Sequence, residues 1–114
     1  MKINYDLIRD ILLAIEENAD GYKNFTLEDI SLMLKQTDFR ILFYHVKYLK
    51  DVAFLECSND YITDITPVGR SFLENIRNDG IWEEVKKHIQ PLASISLSVV
   101  AKLACAIVSK KLGL

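Results

Sequence analysis

Phe25-Thr-Leu-Glu-Asp-Ile-Ser-Leu-Met-Leu-Lys-Gln-Thr-Asp-Phe-Arg-Ile-Leu-Phe-Tyr-His-Val-Lys-Tyr-Leu-Lys-Asp-Val-Ala-Phe-Leu-Glu56 reads as a short helix, a turn, a longer helix and the start of a strand. Thr26 has the hydroxyl of an N-cap, and Asp29 follows at the spacing of a capping box; Phe25 and Ile30 stand where a hydrophobic staple would form. Ile30, Met33 and Leu34 make the apolar face of the first helix. Lys35, Gln36 and Thr37 form a turn without glycine, which leaves the angle between the helices open, and Thr37 or Asp38 caps the second helix. On a helical wheel Phe39, Leu42, Phe43, Val46 and Leu49 share one side, and Ile41, His45, Tyr48 and Val52 widen it. Arg40, Tyr44, Lys47 and Asp51 remain as an outward stripe.

The chain continues as a hairpin. Residues 52–57 read as a strand, Ser58-Asn59-Asp60 as its turn and residues 61–65 as the return strand. Two helices joined by a tight turn and followed by a hairpin are the grammar of a winged helix-turn-helix. In such a unit the second helix can lie in the DNA major groove. This hairpin carries Glu56, Asp60 and Asp64 and no cation. A wing that gripped phosphates would need cations, so the expected role of this one is to close the core.

Upstream, Asn4 is a plausible N-cap with Asp6 in the first turn, and Leu7, Ile8, Ile11, Leu12 and Ile15 recur at helical spacing. Asp20-Gly21 ends that helix near Asn18, and Tyr22-Lys23-Asn24 reads as a short strand. Downstream, Thr66-Pro67 starts a fourth helix whose buried side is Phe72, Leu73 and Ile76. Asp79-Gly80 breaks it, and residues 81–89 form a fifth with Trp82, Val85 and Ile89 inward, ended by Pro91. From Ser94 to Leu112 the chain is apolar on nearly all sides apart from Lys102, and rich in small residues. Such a helix must be covered, either by the first helix of the same chain or by a second copy in a homodimer. With Lys102 in its middle it is too short and too charged to span a membrane.

The chain has 114 residues, 50% of them hydrophobic, with a net charge of -2 and a pI near 5.6. That suffices for one compact domain without staples and argues against strong non-specific nucleic-acid affinity. The distribution says more. Residues 1–34 hold three basic and seven acidic side chains (-4), residues 35–50 four and one (+3), residues 51–90 four and eight (-4), and residues 91–114 three and none (+3). The second helix is a basic island. Cys57 and Cys105 suggest neither a disulfide framework nor a zinc site, and the N-terminus lacks a signal-peptide pattern, so a cytoplasmic location is expected.

Catalytic chemistry finds little footing. His45 and His88 have no partner at a recognisable motif spacing, the four glycines form no phosphate loop, and the Glu16-Glu17 and Glu83-Glu84 pairs are ordinary solvated faces. His45, inside the apolar arc, reads as a core histidine bonded to backbone. No enzyme activity, cofactor, metal or small-molecule ligand is expected.

Several stretches carry a family resemblance: residues 4–18, Phe43-Tyr44-His45-Val46-Lys47-Tyr48-Leu49, Ile65-Thr66-Pro67-Val68-Gly69-Arg70-Ser71-Phe72-Leu73, and Ile76-Arg77-Asn78-Asp79-Gly80-Ile81-Trp82. With these the chain resembles the YjcQ-like proteins, small bacterial and prophage-borne proteins classed as a domain of unknown function. The resemblance implies a winged-helix fold and a bacterial or phage context, and no activity.

The expected fold is therefore mainly α with a small β-hairpin: a winged helix-turn-helix over residues 1–90 and a C-terminal apolar helix over residues 91–114. The expected function is double-stranded DNA binding by a bacterial or prophage transcriptional regulator, homodimeric through its C-terminal helix. Arg40 and Lys47 would reach base edges or phosphates. Gln36 and Thr37 would sit at the helix N-terminus near the backbone, with Tyr44 assisting. The alternative is a protein-interaction module on the same scaffold.

Overall fold

Helix α1 (Tyr5–Asn18) is nucleated where the sequence directs it, since the Asn4 side chain accepts the Leu7 N–H at 3.1 Å and Asp6 occupies the first turn. Its residues Ile8, Ile11, Leu12 and Ile15 retain no exposed surface in the computed structural model, which describes residues 1–92 and 95–114. Burying each such side chain stabilises the fold by about 2 kcal/mol relative to leaving it in water. Around α1 pack α2 (Leu27–Leu34), α3 (Phe39–Asp51) and the second strand of an antiparallel pair, β1 (Leu55–Ser58) and β2 (Tyr61–Ile65). Three more helices follow: α4 (Pro67–Ile76), α5 (Asp79–Ile89) and α6 (Leu97–Lys111). The described residues are thus mainly helical, with one two-stranded sheet.

The capping box at the start of α2 is complete. Thr26 Oγ1 accepts the Asp29 N–H at 3.2 Å and the Asp29 carboxylate accepts the Thr26 N–H at 2.9 Å. The expected strand at Tyr22-Lys23-Asn24 does not form. Asp20 Oδ1 accepts the N–H groups of both Tyr22 (2.9 Å) and Lys23 (2.8 Å), so those amides turn inward on a side chain instead of joining a ladder. Pairing there is confined to Phe25, which exchanges two backbone bonds with Ile62.

Residues 52–54, expected in the first strand, instead end α3. Ala53 takes a left-handed conformation (φ 63°), Phe54 N–H bonds to Leu49 O and Ala53 N–H to Lys50 O, the two bonds of a Schellman motif. The strand begins only at Leu55. A bulge separates Glu56 from Cys57 in the pairing with β2, and the Thr63 hydroxyl satisfies the Glu56 carbonyl across it at 3.0 Å. Thr66 caps α4, accepting the Gly69 N–H at 3.1 Å, with Pro67 at the first helical position. Gly69 is required by contact: a Cβ there would collide with the Phe54 carbonyl oxygen and lie 2.8 Å from Ile65 Cγ2.

Packing divides the chain into two compact units, Met1–Arg70 and Ser71–Leu114, the cut falling inside α4. The physical reason is that α6 packs on α5 and is sealed to it at one end by the Lys111–Glu84 ion pair (3.2 Å). Asp79-Gly80 does not interrupt a helix but opens α5. Asn78 is the cap, accepting the Ile81 N–H at 3.0 Å, and Asp79 suits the dipole in the first turn. Helix α6 starts at Leu97, where Ser96 accepts the Val99 N–H; Ser94, expected within it, lies outside the described residues. Its inward residues are Leu97, Val100, Ala104 and Ile107, and Ser98, Val99, Lys102, Cys105 and Ala106 face outward.

Candidate nucleic-acid interface

The turn between α2 and α3 is built without glycine by placing Lys35 in the left-handed region (φ 55°), at a cost of about 1 kcal/mol. The buried Ser31 hydroxyl donates to the Gln36 carbonyl at 2.6 Å, and the Gln36 N–H bonds back to Ser31 O. Gln36 Oε1 in turn accepts the Asp38 N–H at 3.1 Å, and Asp38 Oδ1 caps α3 by accepting from Arg40 and Ile41. Gln36 is therefore held by the turn, with only its NH2 left to reach outward, while Thr37 is exposed.

Helix α3 is covered by α1, α2 and β1. Leu42, His45, Val46 and Leu49 are its buried residues. His45 is 1% exposed and fully bonded: Nε2 accepts the Asn4 N–H at 2.8 Å and Nδ1 lies 2.8 Å from the Ile41 carbonyl. Only the neutral tautomer with its proton on Nδ1 makes both bonds. It is a core histidine, as its place in the apolar arc suggests.

The outward face is wider and less polar than the wheel implies. Arg40, Tyr44 and Lys47 are exposed as expected, but Phe39 (46% exposed) and Phe43 (55%) are exposed with them, as is Lys50. At roughly 100° per residue, Phe39, Phe43, Lys47, Arg40 and Tyr44 follow one another around an arc of about 140°. The phenylalanines form one band and the cations with Tyr44 form the next. Phe39 and Phe43 sit at the edge of the apolar arc that α1, α2 and β1 leave uncovered, which corrects their assignment to the core.

Both cations of the stripe have acidic neighbours. Arg40 Nε lies 3.7 Å from Asp38 Oδ1, and Lys47 Nζ donates to Asp51 Oδ2 at 2.8 Å. That bond, with the Asp51 charge, raises the Lys47 ammonium above its usual pKa. Exposed pairs of this kind are weak and easily exchanged for another anion. The turn, α3 and the outward stripe bring Thr37, Arg40, Tyr44 and Lys47 to one accessible face, and Gln36 to its edge. The hairpin adds no cation, and Glu56 and Asp60 on it are exposed.

Elsewhere in the same unit an open hollow of about 390 Å³ is lined by Asp10, Leu13, Ala14, Glu17, Asn18, Met33 and Leu34. Its polar lining is Asp10, Glu17 and Asn18, of which Asn18 Nδ2 is engaged by the Ala14 carbonyl at 2.7 Å. Among the described residues no cluster of histidine, cysteine or carboxylate side chains could hold a metal ion, and no helix is long and apolar enough to cross a membrane.

A mainly helical chain with one hairpin and a mixed aromatic and cationic helix face is the class of protein these features define. By sequence it belongs to the DUF2513 family of hypothetical proteins, whose model matches residues 2–96. It is similar to an uncharacterized protein of Haemophilus influenzae, 30% identical over 130 residues that take in 98% of this chain and 99% of that one. No solved structure matches. The family shown is thus one of hypothetical proteins, which is the coarser part of the resemblance that the motifs suggest. Within those motifs Thr66-Pro67 and Gly69 serve packing, as a helix cap and a close backbone contact.

Proposed function

We propose that this chain is a winged-helix DNA-binding protein, a bacterial or prophage transcriptional regulator in which α2 and α3 form the helix-turn-helix and the hairpin the wing. The single observation that carries the reading is the outward face of α3, where Arg40, Tyr44 and Lys47 stand exposed within the basic island of residues 35–50. Set in a major groove, Arg40 and Lys47 meet base edges or phosphates, Thr37 and the Gln36 NH2 meet the backbone at the N-terminus of α3, and Tyr44 donates to a phosphate. The acidic wing closes the core instead of gripping DNA. The outward small residues of α6 support a homodimer, which would present two copies of α3 to a two-fold symmetric site.

Unbiased selection of bound DNA fragments at moderate salt tests the reading. A recurring sequence, bound with an affinity that falls as salt rises, supports it; no enrichment overturns it. A second reading, a protein-interaction module on the same scaffold, is favoured by the acidic hairpin and by exposed apolar side chains, Leu32 (79% exposed) on α2 among them. Its sign would be a stable protein partner lost on mutation of that surface, with no selected DNA.

A further inference from the structure

Phe39 and Phe43 are the feature of α3 that a phosphate-binding role does not explain. Two benzyl groups one helical turn apart face solvent on the same surface as Arg40, Tyr44 and Lys47. Fully burying each would stabilise the fold by up to about 2 kcal/mol, yet α1, α2 and β1 leave about half of each exposed. A face meant for an apolar groove on another protein would extend the phenylalanine band. Here Lys50 shares the direction of the phenylalanine band further along the helix, and Lys47 and Arg40 follow beside it, in the one segment of the first unit with net positive charge. The occupant must therefore combine apolar groups with a dense array of negative charge.

Double-stranded DNA rich in thymine has that combination. The thymine C5-methyl projects into the major groove between two rows of phosphates, and an aromatic side chain recognises it by apolar contact. We infer that Phe39 and Phe43 read thymine methyl groups on the groove floor, so that the chain selects a thymine-containing site. The cations of the adjacent band, Lys47 and Arg40, hold the phosphates. The inference rests on the DNA reading proposed above and specifies its ligand.

The test uses the full chain and the fragment recovered by selection. The same fragment is then synthesised with uracil in place of thymine, which removes C5-methyl groups and leaves every hydrogen-bonding group in place. The expected result is a loss of about 4-fold in affinity for each contacted methyl, the worth of one buried carbon. Phe43→Ala and Phe39→Ala should bind the thymine fragment more weakly and lose part or all of the preference over uracil, while Phe43→Leu, still apolar, should retain it. Both residues are exposed, and an unchanged thermal midpoint confirms that each variant is folded. Equal affinity of the wild type for the two fragments overturns the methyl reading while leaving DNA binding standing. Equal losses on both fragments in the alanine variants do the same. Failure to select any DNA overturns both proposals at once, and a protein partner lost in Phe39→Ala or Phe43→Ala would then assign the face to protein.

Discussion

Helices α3 and α6 are built alike on their inner sides and differently on their outer ones. Each buries four residues along one face, Leu42, His45, Val46 and Leu49 in α3 and Leu97, Val100, Ala104 and Ile107 in α6, and each ends in a Schellman motif. Outward, α3 presents phenylalanine, tyrosine and cations, whereas α6 presents serine, alanine, cysteine and a single lysine between Val99 and Ala106. Large aromatic and charged side chains reach across a gap to a ligand of different chemistry. Small ones permit close approach of another backbone. On the function proposed above, two helices of one chain serve two kinds of contact, α3 with a groove and α6 with a second α6.

The largest effects should fall where the helices are alike. Leu42→Ala in α3 and Leu97→Ala in α6 each remove a fully buried leucine, and each should cost about 3 kcal/mol in denaturant unfolding. A cost for one and none for the other would break the likeness of the inner faces. The outer faces come next. Arg40→Ala with Lys47→Ala should lower affinity for the selected DNA by about 10-fold or more, at ~1–3 kcal/mol per lost base contact, with stability unchanged. Glu substitutions at Val99 and Ala106 should instead convert a dimer to monomers in sedimentation. If the α3 pair changes sedimentation and the α6 pair does not, the roles assigned to the two faces are reversed.

Smaller effects distinguish the helix ends. Helix α6 turns at Gly113 (φ 76°), where glycine is at ease, and α3 turns at Ala53 (φ 63°), where a Cβ is strained. Ala53→Gly should therefore stabilise by ~1 kcal/mol and Gly113→Ala destabilise by about as much, read as shifts of the denaturation midpoint. The smallest effect concerns Lys47. Its raised pKa means that its pairing with Asp51 is in place throughout the neutral range and is lost only as pH climbs through that raised value. Asp51→Asn should bring the Lys47 titration back toward the usual lysine range in an NMR titration. It should also modestly raise affinity for DNA by freeing the cation.

Much of the scaffold is legible in the chain because caps are local chemistry. Asn4, the Thr26–Asp29 box, Thr66-Pro67 and the helix ends near Asn18 and Ile89 are decided by side chains within a few residues of the bonds they make. Local chemistry also explains the misreadings. Asp20 draws the Tyr22 and Lys23 amides away from a ladder, and Asn78 caps α5 so early that Asp79-Gly80 falls inside it. The outer face of α3 is a different problem. A wheel ranks residues by direction but does not show how much of the circumference the neighbours cover. Nine apolar or weakly polar residues span more of the helix than three neighbours can hide, and Phe39 and Phe43 at the rim of that arc are the ones left out.

The two bonds of His45 carry a mechanical meaning as well. Its imidazole joins the backbone before α1 to a ring fixed on α3, 41 residues further along the chain. Because the ring points inward and Phe43 outward only two positions earlier, that one bond indexes the rotation of α3 about its own axis. A helix turned by half a residue step would break it. The direction of the aromatic band is therefore set from behind, by a pin buried away from the surface. A variant at His45 that still folds should lose aim rather than grip, binding DNA with its salt dependence intact and its sequence preference blurred.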